Sequence, residues 1–348
     1  MSVAVVILNW NGKHFLEKFI PVILERTRIA RQASALGSAS DYREAAALFV
    51  ADNGSADGSV EWLEWAYPSH EVNVIRFDRN YGFTGGYNRA FEHIKNEGGN
   101  FKYYLLLNSD IEVTAGWLDS LVAFMDAHPK CAVSAPKILS YDNRGYFEHA
   151  GACGGFVDRF YFPYCRGRIL SSIQKDTGQY DDPCKVFWAS GAALMIRASV
   201  WHSLGGLDDA FFAHMEEIDL CWRAQAAGWE IWSVPSSSVY HVGGGTLPNN
   251  SPRKLYLNFR NNLLMMYKNL PVRKKGRIIF SRMVADGMIA CIYLMTGRFS
   301  FFMSVVRAHR DYRKMKAGAV LTAGAESVPR PKPWLVGMVL KMKFAGRV

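Results

Sequence analysis

The chain has 348 residues, 49% of them hydrophobic and 21% charged, which is ordinary globular usage and excludes a disordered, collagen-like or coiled-coil protein. Its formal charge of +10 is unevenly placed: residues 252–348 hold 20 Lys and Arg against three acids (Asp286, Asp311, Glu326), a net of +17, which leaves 21 against 28, or −7, for residues 1–251. A mildly acidic body with a basic tail that lacks an RNA-reading motif argues against nucleic acid as a partner and for an anionic membrane surface contacted through the tail.

The stretch Met1 to Asn9 has no positively charged n-region and only a short apolar run, so it reads as a first buried strand rather than a signal peptide or membrane span. Val3 to Leu8 is β-branched and continuously apolar, as in a strand buried on both faces, and ends in Asn9-Trp10-Asn11-Gly12. A helix follows on Phe15, Leu16, Phe19, Ile20 and Ile23, then a polar loop over 28–41. The strand Ala46–Ala51 runs into Asp52-Asn53-Gly54-Ser55, and a short helix over Ser59–Tyr67 precedes the strand Val72–Phe77. The Gly-rich turn Asn80–Asn88 opens a helix over Tyr87–Asn96, and the strand Lys102–Leu107 stops at Asn108-Ser109-Asp110. These strand-then-helix units predict an α/β sheet with right-handed crossovers and a ligand site at the carboxyl ends of its strands.

Ala132–Leu139 supplies another strand, and Phe147–Ile169, rich in Gly and aromatics, reads as a hairpin or irregular insert. Val186–Ile196 is apolar around Ser190-Gly191; Glu216–Ala227 reads as a helix closed by Gly228, before a strand over Glu230–Val234 and an extended piece reaching His241. After Pro252 the character changes. Leu255–Asn269 is an amphipathic helix, and Arg277–Arg310 mixes apolar runs with charges, its longest charge-free stretch, Gly287–Gly297, falling short of the ~20 residues that span a bilayer. This segment suits a monotopic anchor at a cytoplasmic leaflet, with a helical subdomain or oligomer contact as the alternative. The expected division is a catalytic domain over 1–251 and a basic, amphipathic helical extension over 252–348. Six cysteines without a CxxC pair are expected to be reduced thiols of a cytosolic chain.

Chemistry-bearing residues gather at the strand ends. An Asp followed by small turn residues, as at Asp52, can accept the ring N–H of a pyrimidine, and Asp110 beside Asn108 can hold a divalent cation that bridges a diphosphate. The Asn80–Asn88 turn offers backbone N–H groups to phosphate or sugar oxygens, but its spacing fails the dinucleotide fingerprint and it follows the third strand rather than the first, which argues against a nicotinamide enzyme. Glu216, Glu217 and Asp219 stand together at a helix start, where like charges raise one another's pKa toward the range of a general base; capping is the alternative. His241, before Gly243-Gly244-Gly245, could complete a cation site begun by Asp110, with the glycines as a lid hinge.

Taken together, Val5–Gly12, Asp52–Ser55, Asn80–Asn88, Leu107–Asp110, Trp188–Ala192 and Glu216–Asp219 resemble the family 2 inverting glycosyltransferases, in particular the rhamnosyltransferase-like and galactofuranosyltransferase-like branch, over about Val3 to Asn269. The resemblance implies a GT-A fold, a Rossmann-like, mostly parallel sheet flanked by helices, and a UDP- or dTDP-sugar donor with Mg²⁺ or Mn²⁺. It implies Asp52 at the base, Asn9 and Asn11 at the nucleoside, Asn80, Gly85, Gly86 and Asn88 at the diphosphate sugar, and Asn53 among the nucleotide-sugar-binding residues. Asn108 and Asp110 occupy the place of the family's Asp-x-Asp, Asp110 being the remaining carboxylate ligand, with His241 as a second metal ligand. Glu217 would be the catalytic base and Glu216 the second candidate, while Trp188, Ser190, Gly191 and Asp219 would line the acceptor subsite. The implied reaction is one displacement with inversion onto a glycan or lipid-linked acceptor, at the cytoplasmic face of a cell membrane. The competing reading is a binding module that keeps a nucleotide-sugar pocket without turnover.

Overall fold

The structure, a computed structural model, describes residues 2–27, 46–148, 154–169, 172–243 and 251–323. The polar loop expected over 28–41 and most of the glycine hinge after Gly243 lie outside the described residues. In chain order the first half is β1 (Val3–Asn9), α1 (Lys13–Arg26), β2 (Ala46–Asp52), α2 (Ser59–Ala66), β3 (Asn73–Arg76), α3 (Gly82–Asn96), β4 (Tyr103–Asn108), β5 (Ile111–Val113), α4 (Trp117–Ala127) and β6 (Cys131–Ser140). Two small hairpins follow, β7 (Gly155–Val157) with β8 (Pro163–Cys165) and β9 (Arg168–Ile169) with β10 (Ser172–Ile173). The remainder is β11 (Cys184–Lys185), β12 (Ala193–Arg197), α5 (Ala198–Leu204), α6 (Glu216–Ala226), β13 (Glu230–His241), α7 (Pro252–Asn269), α8 (Val272–Met295) and α9 (Phe299–Met315).

The main sheet has nine strands in the order β11-β13-β6-β12-β4-β1-β2-β3, with β5 paired to β13 off this path. The pairs β1–β2, β1–β4, β2–β3 and β6–β13 are parallel, and β12 enters antiparallel between β4 and β6. The architecture is the expected GT-A-like α/β sheet flanked by helices, followed by C-terminal helices. Its two apolar faces follow from the two-residue period of a strand. Val3, Val5 and Ile7 of β1 pack with Leu16, Ile20 and Ile23 of α1, whereas Ala4 and Val6 join the cluster that holds Tyr87, Ala90 and Phe91 of α3.

The helix expected from Tyr87 begins earlier, at Gly82, so the Gly-rich segment is helix rather than turn. Asn80 Oδ1 accepts the Gly82 amide at 2.8 Å, and Phe212 O accepts the Phe83 amide at 2.8 Å, so the first turn is satisfied from outside the helix. Gly86 allows the helix to lie against β1, because a Cβ there would stand 2.6 Å from Leu8 Cδ1. The extended piece after Val234 is part of a single strand, β13, which carries an irregularity in its pairing with β6 between Val234 and Ser238.

C-terminal to the sheet, α7 contributes Leu263, Leu264, Met265 and Met266 to the same core cluster as α6, and Phe259 meets Ala290 of α8 and Val305 and Ala308 of α9 in a smaller one. Gly86→Ala is expected to destabilise the protein by about 1–3 kcal/mol through overpacking against Leu8, measured as a lowered urea midpoint at unchanged slope.

Candidate active site

Parallel register brings the polar strand ends together. Asn9 pairs with Asp52 across β1 and β2, and Leu8 pairs with Asn108 across β1 and β4, so the three motifs share one edge of the sheet. Asn9 Nδ2 donates to Asp52 Oδ2 at 2.9 Å, and the other carboxylate oxygen accepts the Ser55 amide at 2.8 Å. Asn11, left-handed at φ 51°, accepts the Ala56 amide with its side chain and donates its own amide to Ser55 Oγ. Asn53 is buried and spans to the next motif: its Nδ2 donates to Asn80 Oδ1 and Gly82 O, and its Oδ1 accepts the Tyr81 amide. Gly85 and Gly86 lie buried in α3, and the Asn88 amide group is committed to Leu207 and Asp209, fastening α3 to the segment before α6.

Asp110 is buried just beyond β4. Its Oδ1 lies 3.1 Å from His241 Nε2, and its Oδ2 accepts the Gly243 amide at 3.1 Å. His241 Nδ1 faces Glu148 Oε1 at 3.6 Å, so one imidazole lies between two carboxylates. Burial opposes charge on this histidine, but hydrogen bonds and charge from Asp110 and Glu148 outweigh it and push its pKa up to about 10. Burial acts to raise Asp110, and its contacts with His241 and with the Gly243 amide together reverse the sign, holding it below the usual carboxylate range. Carboxylate oxygens and an imidazole nitrogen are the donor set that suits a hard or borderline divalent cation. Among the described residues no group of three or more His, Cys, Asp or Glu side chains stands ready to hold a metal; Asp110 and His241 face each other instead.

The two glutamates open α6. Glu216 is buried, while Glu217 keeps partial exposure, and one oxygen of each has no hydrogen-bond partner. Burial, reinforced by the charge of Glu217, raises Glu216 well above the ordinary carboxyl range; burial also raises Glu217, to about 7, against the pull of nearby backbone amides. Such a pair titrates as a unit, with one member protonated at neutral pH and the other poised to ionise. Gly191 adjoins them, since a Cβ built on it would stand 3.7 Å from Glu217 Cβ, and the neighbouring Ala192 O accepts the Asn108 amide at 2.9 Å. Through these contacts the edge that bears Asn108 and Asp110 is continuous with the start of α6.

Ser190 is buried with its hydroxyl near the Ala192 amide. Trp188 belongs to the core: it is buried, its Nε1 donates to Phe156 O at 3.0 Å, and it packs where a side chain on Gly155 would sit. Asp219 is fully buried and has no surface to offer an acceptor; Arg223, Lys268 and Asn269 surround it. Burial would raise its pKa, and the Arg223 and Lys268 charges outweigh that and lower it.

Sequence reasoning missed the segment that delivers the glutamates. Phe212, His214 and Met215 all take left-handed backbone conformations, at φ 66°, 71° and 75°, which are costly for bulky side chains and persist only where the surroundings enforce them. The enforcement comes from α7: Asn261 Nδ2 lies 3.0, 2.8 and 2.7 Å from the carbonyls of Phe211, Ala213 and His214, and Arg260 donates to Phe211 O at 2.9 Å. His214 is held neutral, its pKa lowered to about 4 by burial and by the nearby Lys254 charge. Among the described residues, Asn9 Oδ1, Thr84 Oγ1 and His214 Nε2, like one oxygen of each glutamate, are buried side-chain atoms without a hydrogen-bond partner.

Comparison with known proteins bears on family and fold. The family described as Glycosyl transferase family 2 matches residues 5–203. The N-acetylglucosaminyl-diphospho-decaprenol L-rhamnosyltransferase of Mycobacterium tuberculosis is 25% identical over 203 residues, 56% of this chain and 66% of that protein. The low-salt glycan biosynthesis hexosyltransferase Agl10 of Haloferax volcanii is 25% identical over 221 residues, 63% of this chain. The match thus spans 66% of the length of each relative. Among solved structures, GalNAc-T7 with UDP, GalNAc and Mn²⁺ superposes at a TM-score of 0.57 and 15% identity, covering 79% of this chain and 49% of that one. The S. aureus TarS 1-349 complex with UDP-GlcNAc superposes at 0.56 and 13% identity, covering 92% and 84%. At these identities the likeness is one of fold. Asn261→Ala is expected to cost about 1–3 kcal/mol by leaving buried carbonyls without their donor, read as a lowered urea midpoint.

Proposed function

Since the chain belongs to glycosyl transferase family 2, we propose that it transfers a sugar from a UDP- or dTDP-sugar to an acceptor hydroxyl with inversion, Glu217 acting as general base. The observation that carries the reading is the glutamate pair: a buried Glu216 that retains its proton beside a partly exposed Glu217 whose pKa of about 7 suits proton acceptance at neutral pH. In the proposed step Glu217 takes the proton of the acceptor hydroxyl as that oxygen attacks the anomeric carbon from the face opposite the departing nucleotide, so no covalent intermediate is required. Asp52 would meet the base, and Asn9 and Asn11 the nucleoside, where Asn9 Oδ1 is buried and lacks a partner among the described residues, while Asn53 holds the Asn80 segment beside them. Asn80 and the start of α3 would border the diphosphate sugar, with Gly86 seating that helix against β1. Gly191 and Ser190, beside Glu217, would border the acceptor.

Asp110 and His241, whose donor types fit a divalent cation, would hold Mg²⁺ or Mn²⁺. When bound, the cation supplies positive charge against the diphosphate. The name of one relative, an N-acetylglucosaminyl-diphospho-decaprenol L-rhamnosyltransferase, supports a lipid-linked acceptor in assembly of a surface polysaccharide, which would put the work at the inner face of a cell membrane.

Sugar-dependent release of UDP or dTDP from a panel of nucleotide sugars in Mn²⁺ tests the reading, and its absence across the panel would leave only a binding module. Glu217→Gln is expected to lower kcat by about 10²–10⁴-fold with nucleotide affinity held within a few-fold; full activity would remove Glu217 from the mechanism. The wild-type kcat/KM should rise with pH through about 7 as Glu217 ionises. Because its folded pKa is raised, Glu217 favours the folded state below pH 4.5 and this advantage is lost as pH rises through 7. The Gln variant should therefore gain stability relative to wild type toward neutral pH, a gap that closes in acid. Asp110→Ala should weaken nucleotide binding in Mn²⁺; unchanged binding in titration calorimetry would count against its role.

A further inference from the structure

Helix α8 is amphipathic in the opposite sense to a helix facing water. Its packed side carries Lys275, Ile279, Arg282, Asp286 and Ala290, all buried. Its outer side carries Phe280, Val284, Met288 and Ile292 at four-residue spacing, with Phe280 69%, Met288 61% and Ile292 54% exposed. A surface helix normally turns its polar residues to solvent. Along this stretch Lys275, Arg282 and Asp286 are inside, and Leu294, Met295 and Phe299 carry the exposed apolar surface to the helix end and beyond. At 1.5 Å per residue the band from Phe280 to Met295 is roughly 22 Å long, a contiguous apolar surface of the kind that marks a docking site.

Charge identifies the occupant. Arg273, Lys274 and Arg277 are exposed at the start of the band and Arg298 just beyond its end. The segment 252–348 carries 20 basic residues against three acids, so a second copy docked through this face would bring like charges together, whereas an anionic lipid surface would neutralise them. The inner side then decides between crossing and lying flat. By length and composition alone α8 could cross a membrane. But Arg282 donates to Asp286 at 2.7 Å within the helix, to Asn262 Oδ1 of α7 and to Tyr161 O of the sheet domain. Crossing would strip those partners from a buried charge pair and place it in hydrocarbon, which is costly.

We infer that the Phe280–Met295 face of α8 docks in the plane of an anionic bilayer, its apolar side chains among the acyl chains and its flanking arginines and lysines at the headgroups. The inference deepens the proposed reading of a lipid-linked acceptor, on which it rests for its biological use, by naming the surface that would bring the enzyme to it.

The test is co-sedimentation of the full chain with phosphatidylcholine vesicles and with the same vesicles containing phosphatidylglycerol. Binding is expected to the second, weakening with salt. The double variant Phe280→Glu, Met288→Glu should lower partitioning about tenfold or more. Replacing Arg273, Lys274 and Arg277 with Ser should lower it by roughly a hundredfold on anionic vesicles. If the glutamate pair impairs folding, judged by the thermal midpoint, Val284→Ser with Ile292→Ser reads the same surface. No binding by wild type, or unchanged binding in the apolar-face variants, overturns the inference. So does a dimer in vesicle-free solution that the same variants convert to monomer, which would assign the face to a second copy. Sugar-dependent nucleotide release, measured without vesicles on the same proteins, should be unchanged by these variants. Its absence with vesicle binding intact would sink the proposed transfer and spare the docking surface.

Discussion

Two adjacent carboxyls withdrawn from water, with no cationic partner among the described residues, are the feature on which the site depends. Burial favours their neutral form, mutual repulsion drives their titrations apart, and the partly exposed member is left with a pKa of about 7. Asp219, one helical turn further along α6, shows how much this owes to partners. It is buried at least as deeply, but Arg223 and Lys268 surround it and its pKa moves down rather than up. The same helix thus carries one carboxyl whose pKa is lowered by basic partners and a neighbouring pair whose pKa values are raised by burial. What separates them is which side of α6 faces the basic residue on α7.

Holding such a pair in place requires rigidity in the segment before it. Three bulky residues in left-handed conformations would relax in a free loop. The carbonyls of Phe211, Ala213 and His214 converge on Asn261, while Phe212 O accepts the Phe83 amide at the start of α3. The strained segment is therefore clamped from both sides, by the helix that borders the candidate donor pocket and by the C-terminal helix. Buried polar contacts of this kind contribute little net energy each, but breaking one leaves several groups unsatisfied at once, which makes the clamp cooperative.

The strand ends were readable because β-branched apolar runs stop abruptly at Asn9, Asp52 and Asn108, and parallel pairing then forces those stops onto one edge. The antiparallel entry of β12 was not readable, since Ala193–Arg197 is apolar on both faces whichever way it runs. Nor was the helical state of Gly82–Gly86: glycine signals turns by local propensity, and only the close approach to Leu8 explains its use inside a helix. Phe212, His214 and Met215 left no mark, because their conformations are imposed by distant partners. Asn261 did leave one, as an Asn-Asn pair is a poor choice for a helix interior unless the side chains have partners elsewhere. For α8, the sequence pattern tells which side is apolar but not which side packs, and the packed side proved to be the charged one.

These observations converge on α7. Its Asn261 holds the segment that presents Glu217, its Lys268 holds Asp219, and its Asn262 holds Arg282 of α8. Consecutive residues of one helix therefore connect the glutamate pair to the helix bearing the exposed apolar band. A helix turn is a stiff element, and neither of its contacts can shift without leaving buried groups unpaired. The basic C-terminal segment is in this sense structurally part of the site: the catalytic edge of the sheet supplies the polar strand ends, while α7 fixes the orientation in which α6 meets them and the orientation of α8 relative to both.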